Sequence, residues 1–320
     1  MHSQPPAPLL PDAELAVLAK PPRSREGRAW LVDWQHEQGL LRQTVLAADV
    51  DAVERTTDDV TWLHGLLTGL APTGFPAPRP LPAFAGRSWT IGAGSLWQLV
   101  TYLPGQVVGW SAAPSMAQIG ALMGRYHVAV STLERAAQRP GALPLIDVPA
   151  ILLSGQLAAA GVRGDRAARI RDLAAQLAGD LADAGLASTG RLTIHGDFPC
   201  HNVLATGTPP VPAGGIAFEL AHVDSPLADI GYGLWRSGRP HQHAVDLDAS
   251  RVQQFLHGYA GARALTADAA RLIPGYRRGR SLQMIARRVR AGRPETGMLA
   301  RVGWLSAHRD ELAEIFAATR

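Results

Sequence analysis

The spacing of apolar residues changes near residue 104, and this change restricts the fold more than any other feature of the chain. Before it, segments 29–34 and 39–45 are short, rich in apolar and β-branched residues, and separated by a polar stretch, as is typical of a hairpin. After it, segments 115–133 and 167–185 carry apolar residues at three- and four-residue spacing, as is typical of helices. The sequence therefore predicts an α+β fold with a strand-rich first part and a mainly helical remainder.

Further elements are expected on either side of this change. Apolar residues at helical spacing predict a helix over residues 49–70. The prolines of segment 75–82 exclude a helix there, because each removes a backbone donor and restricts the residue before it. Strands are expected over 88–91 and 96–103, and another helix over 150–161.

Three segments follow from these patterns. Residues 1–25 are rich in proline and are predicted to form an N-terminal arm with a short helical stretch over 12–18. Residues 26–104 are the predicted N-terminal lobe, a small antiparallel sheet with one helix, and residues 105–320 the helical C-terminal lobe. A chain of 320 residues that is 47% hydrophobic has enough apolar material for this bilobed arrangement.

The cysteine count, the length of the apolar runs and the first 20 residues indicate the compartment of the protein. Cys200 is the only cysteine, which rules out an internal disulfide and a cysteine-based metal cluster. No apolar run approaches the roughly 18 residues of a membrane span, and residues 1–20 lack the order of a secretory signal. We therefore expect a soluble protein of the cytoplasm that has no membrane partner.

The formal charge of +4 comes almost entirely from arginine, since Lys20 is the only lysine. The arginines are scattered apart from one cluster over 277–290, which interleaves apolar residues as an amphipathic helix with a solvated basic face would. No aromatic stacking pattern accompanies them. The sequence therefore predicts no nucleic-acid partner.

The chemistry is concentrated in segment 191–206, RLTIHGDFPCHNVLAT. Asp197 follows an apolar strand on a predicted turn, and Asn202 comes five positions later. In kinase-type phosphoryl transfer an aspartate accepts the proton of the incoming hydroxyl, and an asparagine on the same loop supplies an oxygen to magnesium. Gly196 permits a tight backbone and the His195 side chain can brace the loop by hydrogen bonding.

The motif HGDFPCHN resembles the HGDxxxxN loop of aminoglycoside phosphotransferases and their relatives, which include choline, homoserine and methylthioribose kinases. The segment IAFELAHVDSPLADIGYGLW, residues 216–235, is similar to the next conserved segment of that family. The resemblance implies a protein-kinase-like fold and transfer of a phosphoryl group from ATP, with Mg2+, to a hydroxyl of an antibiotic or metabolite. It also implies that Asp229 is a buried carboxylate that braces the catalytic loop.

Ala217 departs from the family pattern, because it stands where the family carries the aspartate that holds magnesium against the nucleotide phosphates. A methyl group cannot bind a metal, so metal retention and phosphoryl transfer should both be weaker. The chain could be an inactivated mutant, a natural pseudokinase, or an enzyme that uses another carboxylate. Glu219 is the substitute expected if the strand continues, since side chains two apart on a strand share a face; Asp224 is a poorer candidate.

The resemblance also predicts a nucleotide side in the first lobe. Arg42, on the predicted third strand, is the expected contact to the phosphates, since arginine also binds phosphate well. Asp59, on the helix over 49–70, ranks first as the expected carboxylate partner, ahead of Asp58 and Glu54. Leu99, Val100 and Tyr102 lie in the segment QLVTYLPG, which resembles the family's hinge between lobes, where adenine would bind.

These observations predict an ATP-dependent O-phosphotransferase that binds a nucleotide and a small-molecule hydroxyl acceptor. Two rivals remain: an inert pseudokinase that acts through a protein partner, and a kinase-like enzyme that modifies a peptide hydroxyl. The arginine-rich last third, including Arg251 and Arg280, favours a neutral or anionic acceptor over a cationic one.

Overall fold

A computed structural model of the chain describes residues 15–19, 28–46, 50–108, 115–134, 137–183, 190–198, 200–241, 244, 246–293 and 298–318. The chain divides into two compact units. The N-terminal unit comprises Met1–Pro104 and Arg139–Gly141, and the C-terminal unit comprises Gly105–Gln138 and Ala142–Arg320.

In the N-terminal unit the described residues form a five-stranded antiparallel sheet in the order β1-β2-β3-β5-β4. The helix α1 connects β3 to β4 in the chain. The bounds are Leu15–Ala19 (β1), Arg28–Trp34 (β2), Glu37–Val45 (β3), Val50–Leu70 (α1), Trp89–Gly92 (β4) and Ser95–Thr101 (β5).

The core of this sheet comes from side chains two residues apart on neighbouring strands. Trp30 and Val32 of β2, Leu41 of β3, and Trp97 and Leu99 of β5 are each at most 7% exposed and belong to one apolar cluster. Such alternation is what a sheet with one packed face requires. The hairpin and the strands over 88–91 and 96–103 are therefore confirmed, with ends shifted by one or two residues.

The short helix predicted over 12–18 is wrong for its described part. Residues 15–19 form β1, and residues 12–14 lie outside the described residues. Leu15 pairs with Trp34 and Val17 with Val32 across an antiparallel ladder. So short a segment has little helical stability of its own. Hydrogen bonds to a neighbouring strand therefore outweigh its preference for a helix.

The C-terminal unit is mainly helical. Its helices are Met116–Ser131 (α2), Val148–Leu153 (α3), Gln156–Ala159 (α4), Gly164–Asp183 (α5), Pro226–Ser237 (α6), Ala249–Ala262 (α7), Ala267–Arg290 (α8), Met298–Ala307 (α9) and Arg309–Ala317 (α10). Its strands are Gln106–Val107 (β6), Leu192–Ile194 (β7), Val203–Thr206 (β8), Val211–Gly215 (β9) and His222–Asp224 (β10). Among the described helices, none is both long and apolar enough to cross a membrane.

The helices over 49–70, 115–133 and 167–185 are confirmed, whereas the helix over 150–161 is broken into α3 and α4. The break falls at Ser154, whose backbone is extended with φ −75° and ψ 177°.

The basic cluster over 277–290 does lie on a helix, α8, but its first three arginines are buried rather than solvated, while Arg287 and Arg288 are partly exposed and Arg290 is exposed. Arg277, Arg278 and Arg280 are only 0%, 3% and 4% exposed. Arg278 pairs with Asp180 of α5, and Arg280 donates to a backbone carbonyl. The helical period alone could not reveal this, because the packing around α8 buries these side chains on a helix whose sequence is polar.

Glycines allow α2 and α7 to pack closely. A Cβ on Gly120 would lie 2.0 Å from the Phe255 carbonyl oxygen, and one on Gly258 would lie 1.8 Å from the Ala117 carbonyl oxygen. These neighbours are backbone atoms, which cannot rotate away as a side chain would. The two helices therefore pack at a distance that side chains at these positions would prevent.

We predict that Gly258→Ala destabilises the protein by about 1–3 kcal/mol, because the added methyl forces α2 and α7 apart. The melting temperature should fall by several degrees, at roughly 2–4 °C per kcal/mol for a chain of this size. Gly261→Ala is the matched control, since a Cβ there meets nothing within 4 Å on the same helix. An equal loss in both variants would contradict the packing argument.

Candidate active site

The catalytic loop, residues 195–202, begins at the end of β7, which pairs antiparallel with β10. Gly196 turns the chain with φ +72°, a backbone conformation that favours glycine. A Cβ at this position would lie 2.1 Å from the carbonyl oxygen of Leu220. Both its dihedral angle and its surroundings therefore require glycine immediately before Asp197.

Asp229, in the first turn of α6, holds the start of this loop. Its Oδ2 accepts a hydrogen bond from the His195 backbone N–H at 2.8 Å, and its Oδ1 accepts one from the Gly196 N–H at 2.9 Å. The His127 ring lies against the same carboxylate, with Nε2 3.1 Å from Oδ2. Burial acts to raise the pKa of Asp229, but the hydrogen bonds from His127 and His195 outweigh it and lower the pKa.

His195 is a brace rather than a charged group. Its Nε2 lies 3.0 Å from the Ile216 carbonyl oxygen and so carries the proton, which leaves Nδ1 to accept the Asp197 N–H at 3.3 Å. Burial lowers the pKa of this imidazole, which keeps the ring neutral near pH 7. The ring thus connects the loop to the backbone just before Ala217.

Asp197 and Asn202 are brought together by the same loop. The Asn202 Nδ2 donates to the Asp197 carbonyl oxygen at 2.8 Å, and the Asn202 backbone carbonyl accepts from the Ile216 N–H at 2.9 Å. The Asp197 Oδ1 is buried and has no hydrogen-bond partner among the described residues. A buried carboxylate oxygen of this kind is suited to accept a hydrogen bond from a bound hydroxyl.

Ala217 lies in the left-handed region, with φ +66° and ψ +54°. β9 ends at Gly215, and a 3-10 turn over Phe218–Leu220 follows. The strand alternation from which Glu219 was expected to share a face with position 217 is therefore absent. A left-handed backbone is more readily adopted by aspartate and asparagine than by alanine.

The donor set for a magnesium ion is incomplete. Asn202 and Glu219 stay predicted ligands, and the Ala217 methyl offers none. Asp224 accepts hydrogen bonds from the Leu145 and Ser225 N–H groups at 2.7 and 2.8 Å, so it is engaged within the fold. In the described part of the chain, no group of three or more His, Cys, Asp or Glu residues could hold a metal.

In the N-terminal unit Arg42 lies on β3, opposite Gln98 of β5. The Asp59 carboxylate accepts two hydrogen bonds from Arg139, from Nε at 2.5 Å and from Nη2 at 2.6 Å. The observed partner of Asp59 is therefore Arg139, and its predicted role beside Arg42 stays a prediction. His64 of α1, which the sequence patterns did not single out, lies near enough for the charge of Arg42 to affect its pKa.

Two of the predicted contacts in the hinge-like segment are buried and the third, Tyr102, is partly exposed. Leu99 has no exposed surface, Val100 is 7% exposed, and the Tyr102 N–H donates to the Gln38 carbonyl oxygen at 2.8 Å. The contacts of these three residues with a nucleotide remain predictions.

Comparison with known proteins identifies the family. The profile of the phosphotransferase enzyme family (APH) matches residues 18–272. The chain belongs to this family. A homoserine kinase of Acidiphilium cryptum (strain JF-5) is 28% identical over 245 residues, which are 74% of this chain and 72% of that enzyme.

Solved structures of small-molecule kinases share the fold of this family member. A microcompartment-associated aminopropanol kinase has a TM-score of 0.62 at 17% identity, covering 96% of this chain and 94% of its own. Amicoumacin kinase hAmiN, solved with AMP-PNP, Ca2+ and Ami, has a TM-score of 0.64 at 17% identity, with 96% and 91% covered. The antiparallel sheet and the mainly helical remainder form the predicted protein-kinase-like fold.

The arginines that favoured a neutral or anionic acceptor are engaged in the fold of this phosphotransferase. Arg251 Nε donates to the Ser237 carbonyl oxygen at 2.9 Å, and Arg280 donates to the Gly196 carbonyl oxygen at 2.6 Å. These two arginines therefore give no support to a neutral or anionic acceptor, whereas Arg290, which was counted with them, is exposed.

We predict that acid destabilises the protein through its buried histidines. Burial lowers the pKa of His64 from 6.5 to about 4, partly offset by a hydrogen bond with Gln98. The ring is neutral when folded but takes a proton in the unfolded chain below pH 6.5, so the stability is full above pH 6.5 and is lost as the pH falls towards 4. His64→Gln should make the fall of melting temperature between these pH values shallower.

His36→Gln is the matched control for this measurement, because His36 is an exposed histidine in the β2–β3 turn. Its melting temperature should follow the same pH profile as that of the natural chain. If His64→Gln left the profile unchanged as well, burial of the neutral ring would not be the cause.

We predict that Ala217→Asp leaves the fold intact and strengthens nucleotide binding in the presence of Mg2+. Aspartate fits the left-handed backbone and adds the carboxylate that a hard cation prefers. Calorimetry with a non-hydrolysable ATP analogue, with and without Mg2+, measures the gain. Ala217→Asn is the control, since it fits the same backbone without the charge; an equal gain in both variants would count against a metal effect.

Proposed function

We propose that this chain is an ATP-dependent phosphotransferase that acts on the hydroxyl group of a small molecule. The observation that carries the proposal is the Asp197 Oδ1, which is buried and has no hydrogen-bond partner among the described residues. It lies on a loop whose first two backbone N–H groups are held by Asp229. Phosphoryl transfer depends mainly on such positioning of the reactants.

In the proposed reaction Asp197 accepts the proton of the acceptor hydroxyl as that oxygen attacks the γ-phosphorus of ATP. The new bond joins the acceptor oxygen to phosphorus, and the bond from phosphorus to the β–γ bridging oxygen breaks, which releases ADP. His195 stays neutral and fixes the Asp197 backbone. Arg42 is the group proposed to contact the nucleotide phosphates, and Val100 and Tyr102 to lie near adenine.

Magnesium would neutralise the charge of the nucleotide phosphates in such a reaction. Asn202 by itself is a neutral ligand, and a hard cation prefers carboxylate oxygens. We therefore expect Mg2+ to bind weakly to the natural chain, and we derive no step through it.

The relatives support a small-molecule acceptor. Homoserine kinase, aminopropanol kinase and amicoumacin kinase all carry the names of small molecules. The region that matches this chain covers more than two thirds of each of these proteins. A panel of amino alcohols, hydroxy amino acids and hydroxylated antibiotics is therefore the first set of acceptors to test.

A second candidate function is binding without catalysis, and Ala217 is the observation that favours it. The methyl group supplies no metal ligand, and Asp224 is bound to backbone N–H groups and so does not replace it. A protein of this kind would bind a nucleotide without acceptor-dependent turnover, in both the natural and the Ala217→Asp chains.

We predict that Asp197→Asn lowers acceptor-dependent ADP release by about 100-fold or more, because the amide cannot accept the hydroxyl proton. Nucleotide affinity should stay within about twofold, since binding energy and base catalysis are separate contributions. A coupled assay over the acceptor panel measures ADP release, and calorimetry measures affinity. Both the natural chain and Ala217→Asp serve as parents.

Asp165→Asn, an exposed carboxylate on α5, is the matched control and should leave turnover unchanged. Turnover that survives Asp197→Asn at the parental rate would refute Asp197 as the base. Nucleotide binding without turnover in either parent, for every acceptor of the panel, would favour binding without catalysis.

A further inference from the structure

Arg280 lies on α8 with its guanidinium buried against the catalytic loop. Its side chain is 4% exposed, and Nη2 donates a hydrogen bond of 2.6 Å to the Gly196 carbonyl oxygen. This carbonyl belongs to the peptide group that joins Gly196 to Asp197. The arginine therefore contacts the loop at the peptide immediately before the proposed catalytic carboxylate.

Two contacts besides the Gly196 carbonyl fix the orientation of the guanidinium. Nη1 donates to the Gln283 Oε1, and the Gln283 Nε2 donates in turn to the Leu143 carbonyl oxygen. The guanidinium carbon lies 4.2 Å from the centroid of the Tyr232 ring, on α6. Only a planar group with several donors can make these contacts together, so lysine would be a poor substitute.

No carboxylate of the described residues pairs with Arg280, whereas Arg278, two positions earlier, pairs with Asp180. The Arg280 Nε also has no hydrogen-bond partner among the described residues. Burying a cation with no carboxylate in direct contact is costly, and hydrogen bonds to neutral oxygens offset only part of that cost. A costly group next to the loop that carries Asp197 indicates a role in function.

The cavity beside Arg280 is too small to be the acceptor site. It is lined by Gly196, His222, Tyr232, Arg280 and Gln283, among others, and its volume is about 10 Å³. This is about the space that one water molecule needs, whereas small-molecule sites occupy several hundred Å³. Arg280 therefore acts here on the loop and not on a ligand bound in this cavity.

We propose that Arg280 is a positioning residue, which orients the Asp197 carboxylate by holding the Gly196 carbonyl. Gly196 is then fixed at both ends, since Asp229 holds its N–H and Arg280 its carbonyl oxygen. The peptide plane that precedes Asp197 is held on both sides as well, by Arg280 at its carbonyl oxygen and by His195 Nδ1 at the Asp197 N–H, and these bonds restrict its rotation. The catalytic consequence rests on the proposed function, but the ordering of the loop does not depend on turnover.

Hydrogen–deuterium exchange of the full chain tests this ordering directly. Arg280→Met keeps a side chain of similar length and removes every donor. We expect the amides of Gly196 and Asp197 to exchange about tenfold faster, because local opening no longer breaks the bond to Arg280. Arg278→Met, which removes a buried arginine of the same helix, should leave these two amides unchanged even if it lowers the melting temperature.

Arg280→Lys keeps the charge and one donor and should show a smaller increase at the same two amides. If Arg280→Met does not fold, exchange at these two amides in Arg280→Lys tests the proposal. An increase at Gly196 and Asp197 supports the proposal, whereas no increase, or a uniform increase over the whole chain, overturns it. Equal acceleration in Arg278→Met overturns it too, because general destabilisation would then be the cause.

Steady-state kinetics supply the second readout. Arg280→Met should lower kcat by about 100-fold, the cost expected of a misplaced catalytic group, and leave the KM for ATP unchanged. A KM change without a kcat change overturns the positioning role. The chain could turn over no acceptor, even with Ala217→Asp, while Arg280→Met still exchanges faster at the loop. That result would support the ordering by Arg280 and would contradict only the proposed function.

Discussion

The carboxylate of Asp229 is the contact on which the rest of the site depends. It accepts the backbone N–H groups of His195 and Gly196, and it is itself held by His127. Because all of these groups are buried, each hydrogen bond is stronger than it would be in water, and the loss of any partner would leave an unsatisfied polar group. The start of the catalytic loop therefore has one arrangement in which every buried donor is satisfied.

Two further contacts extend this order to the reacting end of the loop. Arg280 holds the Gly196 carbonyl, and the Asn202 amide holds the Asp197 carbonyl. Most of the loop's backbone polar groups near Asp197 are thus engaged, while one oxygen of the Asp197 carboxylate has no partner in the described part of the chain. This is the order that the proposed phosphoryl transfer requires, with one carboxylate oxygen left to accept the hydroxyl proton.

At Ala217 the backbone geometry of the loop is present without the carboxylate that the family carries there. Its left-handed backbone is well suited to aspartate, and the Ile216 carbonyl before it is bound to the His195 ring. The backbone geometry of the loop is therefore present, and the missing carboxylate bears on the proposed metal site rather than on the fold. This separation is why a single side chain decides between the two functions considered for the chain.

The sequence by itself determined the family, the change from strands to helices, and the loop with Asp197 and Asn202, because these depend on local periodicity and on motif spacing. Tertiary structure alone decided that residues 15–19 form a strand, that Asp59 pairs with Arg139, and that Arg277, Arg278 and Arg280 of α8 are buried. Each of these outcomes depends on partners distant in the chain. A period of 3.6 residues reports which residues share a helix face, but not what that face packs against.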